Sequence, residues 1–148
     1  MEGQTESAGL EPFEALVGTW TMEATHEGLP GAAIRGQSTF EWLDGRRFLI
    51  WRAHYDHPEI PDAIAIIGVI DGELSMQYFD TRGVYRVLAV SLDEGAWRFS
   101  RDGSGSDFSQ RFTGTFSDDG NTITGQSQLS EDGSTWENDL AITYRRAS

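Results

Sequence analysis

The residues best able to do chemistry in this chain are five polar side chains that interrupt apolar stripes of period two. His26 follows Trp20 and Met22, Tyr78 follows Leu74 and Met76, and Arg86 stands between Val84 and Leu88. Gln110 lies between Phe108 and Phe112, and Asn138 between Trp136 and Leu140. Residues two apart on a strand share a face. Each polar group therefore shares its surroundings with large apolar ones, where an unpaired donor or acceptor costs several kcal/mol. Two readings stand side by side. Either the polar groups orient a small molecule in an aromatic cavity, or they form an internal hydrogen-bond network with ordered water. In the first, Arg86 faces a carboxylate, phenolate or enolate. If there is turnover, His26 is the acid/base, with Tyr78 and Arg86 stabilising developing negative charge. A salt bridge from Arg86 to Asp80 is a third possibility. The ligand-binding set expected around them is Trp20, Met22, Phe40, Trp42, Met76, Phe108, Gln110, Phe112, Trp136 and Asn138.

Other chemistries find little support. The chain has no Cys, so disulfides, thiolate nucleophiles and Cys-ligated metals are excluded. His54, Asp56, His57 and Glu59 are metal-competent, but on a strand His54 and Asp56 share a face while His57 points away, so a loop His among solvated acids is expected and no metal. Asp102 to Asp107 lacks the carboxylate spacing of a calcium loop. No Gly-x-Ser-x-Gly elbow and no phosphate loop is present. With 24 acidic against 11 basic residues and a net charge of −13, nucleic acid and anionic membranes are unexpected partners. Many of the acids fall in turns, as at Asp44, Asp71 and Asp118-Asp119, and read as solvated hairpin tips. No apolar run approaches the roughly 20 residues of a membrane helix. No basic segment followed by an apolar one opens the chain, so a cytoplasmic location is expected.

The elements that must position these residues are strands. Residues 1–9 read as a loose tail. Leu10, Phe13, Leu16 and Val17 recur at helical spacing, with Pro12 tolerated in the first turn. From Thr19 the period becomes two. Further strands are expected at Gly36–Leu43, Arg47–Tyr55, Ala63–Ile70, Glu73–Phe79, Val84–Leu92, Ala96–Arg101, Phe108–Phe116, Thr122–Ser130 and Thr135–Arg145. Asp44-Gly45 and Asp71-Gly72 are hairpin signals, and Glu27 to Gly31 reads as a loop. Both faces of Arg47–Tyr55 are partly apolar, so periodicity leaves its inward face open. Ala63–Ile70 is apolar throughout, which predicts burial on both sides or cover by a second copy, hence a homodimer. In the last strand Trp136, Asn138, Leu140, Ile142 and Tyr144 form one stripe. About ten hairpin-linked strands predict a single all-β domain over residues 10–148, an up-and-down antiparallel barrel with a short N-terminal helix.

Gly18-Thr19-Trp20 after a short helix resembles the entry of calycin barrels, the superfamily of lipocalins, fatty-acid-binding proteins and nitrobindins. With Thr39 to Gly45, Asp56-His57-Pro58, Ile64 to Gly68 and Phe108 to Asn121, the chain resembles a single-domain bacterial family of that type, largely of unknown function. The resemblance implies a barrel with an internal pocket for a small, largely apolar or aromatic molecule. It also implies stacking of Trp20 on a basic residue of the last strand, Arg145 or Arg146. The alternative is a cofactor-free cyclase, isomerase or lyase of specialised metabolism using the same cavity, in which shape folds the substrate. Nitrobindin-like barrels bind haem through a His near the end of the chain. The last strand here has none, and Thr21 to Thr25 replace the Gly-rich continuation, so His26, His54 or His57 would have to serve and no cofactor is expected.

Overall fold

The computed structural model describes residues 10–26, 33–103 and 108–147. The tail 1–9, the loop 27–31 and most of the Asp102–Asp107 loop lie outside the described residues. A 3-10 helix, Glu11–Leu16, precedes ten strands. They are β1 (Gly18–His26), β2 (Ile34–Trp42), β3 (Phe48–Tyr55), β4 (Ala63–Ile70), β5 (Glu73–Asp80), β6 (Tyr85–Asp93), β7 (Ala96–Arg101), β8 (Ser109–Phe116), β9 (Thr122–Ser130) and β10 (Glu137–Arg146). Every strand pairs antiparallel with its sequence neighbours, and β1 pairs with β10 from Trp20↔Arg146 to His26↔Leu140. The sheet closes on itself and leaves no edge.

Odd-numbered strands run from the helix end to the opposite rim and even-numbered strands return. Tight turns make this possible. Asp71 and Gly72 both have positive φ, 53° and 81°, as do Glu94 and Gly95, the pairing a two-residue hairpin needs. At the Asp44-Gly45 turn the positive pair lies one residue later, at Gly45 and Arg46, because the loop spans from Leu43 to Phe48.

The helix is tighter than its spacing suggested. Leu10, Phe13 and Leu16 are three apart and all buried, the period at which 3-10 side chains eclipse. They plug one end of the barrel. Trp20 is fully buried beside them, and its indole N–H donates to the Leu16 carbonyl at 2.8 Å. The basic residue over Trp20 is Arg146, 4.2 Å from the ring centroid, whereas Arg145 lies outside near Glu23. The Arg146 guanidinium also donates to the carbonyls of Ala15, Val17 and Gly120. One cation thus satisfies carbonyls that the helix end leaves open. Trp42 belongs to this closed end too: its indole donates to Glu14 at 2.8 Å, and Arg46 stacks on it.

Above the plug lies an aromatic layer. Trp97, fully buried, sits within 6 Å of the rings of Phe40, Trp51, Phe99, Phe112 and Tyr144. Its Nε1 has no hydrogen-bond partner among the described residues. Phe112 lies over the two glycines Gly114 and Gly125; a Cβ on Gly125 would stand 2.6 Å from its ring. Outside, Ile64, Ile66 and Ile70 of β4 are half-buried, while Phe79, Tyr85 and Val87 nearby are exposed. No helix among the described residues is long and apolar enough to cross a membrane.

Replacing Arg146 with Met removes the stacked cation and unpairs three carbonyls. Urea denaturation should show a loss on the order of 3 kcal/mol. Arg146→Lys, which cannot reproduce the fork, should recover less than half of it. A loss under about 0.5 kcal/mol for Arg146→Met would show that the plug does not depend on this residue.

Candidate functional site

The half of the barrel away from the helix is open. It holds a cavity of about 600 Å³. Its inner wall is apolar, with Trp51, Ala53, Ala65, Met76, Leu88 and Phe99 prominent. Polar groups gather at the rim: His26, Tyr55, Tyr78, Arg86, Gln110 and Asp139. His26 and Tyr55 end odd-numbered strands, while Tyr78, Arg86, Gln110 and Asp139 lie one or two residues inside the rim ends of theirs. The β3–β4 loop brings His57, Glu59, Ile60 and Pro61 to the mouth.

Six of the residues expected from sequence line this cavity: His26, Tyr78, Arg86, Met76, Phe108 and Gln110. The other candidates do not. Trp20 and Trp42 belong to the plug. Phe40 stacks on Trp51 (5.3 Å) and Phe112 on Phe99 (4.7 Å), so each backs a ring that faces the cavity. Met22 accepts a hydrogen bond from Ser38 Oγ, which in turn accepts from the Trp51 indole at 3.0 Å. Met22 therefore holds Trp51 in place from behind.

Trp136 and Asn138 are on the outside, for a reason in the backbone. Between Asn138 and Ala141, β10 carries one residue more than β9 opposite, a β-bulge. The bulge reverses the inside–outside alternation. Asn138 pairs outward with Gln128, and Trp136 lies under Arg111, 3.9 Å from its guanidinium. Asp139 takes the inward place and meets His26 Nε2 at 3.1 Å. Side chains replace the lost ladder bonds: Gln126 donates to the Leu140 carbonyl, and Ser127 Oγ accepts from the Leu140 N–H.

Trp51, Tyr55, Phe99 and Asp139 were missed as cavity residues. Three of them had a signal. Arg52 and His54 mark the outer face of β3, which puts Trp51, Ala53 and Tyr55 inside, and Trp97 and Phe99 alternate with Arg98 and Ser100. Asp139 had none, because nothing local announces the bulge.

The electrostatics divide the rim. On the β1, β10 and β3 side, Asp139 bonds His26, and half-buried Tyr55 has its pKa pushed up to about 12, first by burial and then by the Asp139 charge. On the β5 side, the Tyr78 hydroxyl donates to Asp80 at 2.8 Å. Burial and this bond raise the Tyr78 pKa, so Tyr78 offers the cavity lone pairs, its proton being committed. Burial alone would raise Asp80, but the Arg82 guanidinium, the Tyr78 hydroxyl and the Arg82 and Val84 N–H groups bring it down to about 2. Asp80 therefore pairs with Arg82, and Arg86 is left to the β6–β8 side. There Arg86 donates to Gln110 Oε1 at 3.0 Å and lies 4.7 Å over the Phe108 ring.

The metal-competent group resolves into separate parts. His54 is outside, between Asp62 (2.8 Å) and Asp56 (3.0 Å), and His57 Nδ1 accepts from the Glu59 N–H. No cluster able to hold a metal occurs among the described residues. Haem would need an imidazole nitrogen presented to the interior. His26 and His57 line the cavity mouth, with His26 Nε2 and His57 Nδ1 each in a hydrogen bond, and His54 lies outside between Asp62 and Asp56.

No family model matches the chain, and no curated protein is similar to it in sequence. What the structure shows of the calycin expectation is the closed ten-strand antiparallel barrel. Among solved structures, the Mycobacterium tuberculosis protein Rv2717c is similar over 97% of this chain and 98% of its own, with TM-score 0.66 and 13% identity. At that identity the likeness is one of fold. A redesigned β-barrel, mFAP0, solved with DFHBI bound, is similar over 89% of this chain and 99% of its own, with TM-score 0.46 and 18% identity.

His54 closes the β3–β4 loop over the mouth. Hydrogen bonds to Asp62 and then Asp56 raise its pKa above 6.5. A folded value above the unfolded one means that the protonated imidazole stabilises the native loop. The contribution is full below pH 6.5 and is lost as pH rises through the folded value. In an NMR titration His54 should show a pKa above 6.5, and Asp62→Asn should lower it. A His54 value at or below 6.5 would show that the clasp does not form.

Proposed function

We propose that this barrel binds a small, largely apolar and aromatic molecule in its open half. The observation that carries the reading is the division of the interior. One half is filled by packed aromatic rings, while the other keeps about 600 Å³ walled by Trp51, Phe99, Met76 and Leu88, with hydrogen-bonding groups confined to the rim. A cavity of this size and lining has the form of a small-molecule site. The ligand's apolar body would lie against Trp51 and Phe99, rings fixed from behind by Phe40 and Phe112.

A neutral probe tests this. N-phenyl-1-naphthylamine should bind with one-to-one stoichiometry, brighten, and quench tryptophan emission. Ala65→Phe, which fills the cavity from β4, should weaken binding at least about tenfold while the melting temperature stays within a few degrees. Equal binding by both proteins would place the probe on the outer apolar face and overturn the reading.

A second reading rests on the His26–Asp139 pair. A carboxylate holding an imidazole beside an apolar cavity is an arrangement for proton transfer. It would serve a cofactor-free isomerase, cyclase or lyase step. With a candidate substrate in hand, His26→Ala should abolish turnover and leave affinity within about threefold. Parallel loss of both would assign His26 to binding alone.

A further inference from the structure

Resting on the binding reading above, we infer that the ligand is an anion: a flat apolar body bearing a carboxylate or acidic phenolate, seated against Arg86 and the Gln110 amide. Many of the other arginines of this chain meet a carboxylate. Arg35, Arg46, Arg52, Arg82, Arg98 and Arg145 each lie within 4 Å of a carboxylate. With 24 acids in 148 residues, such a partner is easily supplied. Arg86 is half-buried, faces the cavity, and has no carboxylate partner among the described residues. Its contacts are one neutral oxygen, Gln110 Oε1, and the face of Phe108. A guanidinium carries five N–H donors in a planar fork suited to a carboxylate. Gln110 Oε1 satisfies one of them.

Gln110 adds to the same demand. Its oxygen accepts from Arg86 and also from Arg101 Nε at 3.1 Å. Two cations on one oxygen fix the orientation of the amide, so its NH₂ is the edge still to be filled. No acceptor for it is found among the described residues. Guanidinium and amide together form a patch of donors on the β6–β8 wall, and Phe108 holds the Arg86 plane in position. The carboxylates that line the cavity are elsewhere: Asp139 on β10 is bonded to His26, and Glu59 is on the mouth loop. Tyr78 cannot share the task, since its proton goes to Asp80. Placing an anion here also runs against the net charge of −13, which disfavours anions at long range. An uncompensated inward cation in such a protein selects an anion by direct contact.

The test compares two probes that differ by one group: 1-anilinonaphthalene-8-sulfonate and the uncharged N-phenyl-1-naphthylamine. The wild-type protein should bind the sulfonate more tightly. Arg86→Met should cost the sulfonate about tenfold or more and leave the neutral probe within about twofold, and Arg86→Lys should recover part of the loss. Retained affinity for the neutral probe shows that the variant barrel is intact. If wild-type protein binds both probes equally, or if Arg86→Met weakens both alike, the anion inference is wrong while the cavity reading stands. If neither probe enters the cavity, the binding reading itself fails.

Discussion

Closing ten strands into one sheet creates an interior that ordinary side chains do not fill. Eight strands make a barrel just wide enough for its own residues, and the diameter grows with strand number. Every other feature of this molecule answers that surplus of space. At one end the answer is bulk: Leu10, Phe13, Leu16 and Trp20 close the lumen, and five aromatic residues packed edge-on or tilted around Trp97 continue the filling. At the other end the surplus is kept. The two halves are linked, because Trp51 and Phe99 are at once the top of the packed layer and the wall of the cavity. The cavity therefore has a rigid floor, and rigidity beneath a binding surface lowers the entropy lost on binding.

The chain achieves closure through the β1–β10 pairing, which joins residues more than a hundred positions apart. Arg146 sits where the two ends meet. It binds the carbonyls of the helix, a β8–β9 turn residue and the face of Trp20. The rim at the far end is built differently, from pairs each local to two or three neighbouring strands. His26 with Asp139, Tyr78 with Asp80 and Arg82, and Arg86 with Gln110 are separate units around one opening. Because β6 lies across the barrel from β1, Arg86 and the imidazole–carboxylate pair face each other over the cavity.

Much of this was legible in the residues. The change from period three to period two at Thr19, and the Asp-Gly turns, give the strand count and the closed architecture. His26, Tyr78, Arg86 and Gln110 stand out because each breaks an apolar stripe, and all four line the cavity. Depth was not legible. Alternation tells inside from outside, but not floor from plug, so Phe40, Phe112, Trp20 and Trp42 looked equivalent to Met76 and Phe108. Nor was Trp97 Nε1 foreseeable as a buried donor without a partner among the described residues. The Arg86–Asp80 bridge considered from sequence gives way to Arg82, which reaches back across the β5–β6 turn to a carboxylate two residues away.

The bulge in β10 has a genetic consequence. The extra residue between Asn138 and Ala141 is what gives both Asp139 and Leu140 a place on the cavity wall. Deleting one codon in that interval would restore simple alternation. Asn138 and Trp136 would keep their outward places opposite β9, and where the codon lost is that of Asp139, the carboxylate beside His26 would go while Leu140 stays inward. A frame-preserving deletion of those three nucleotides thus strips the charge from this side of the rim in a single event. Variation in chain length at this one place is a route by which barrels of this kind could acquire new ligands.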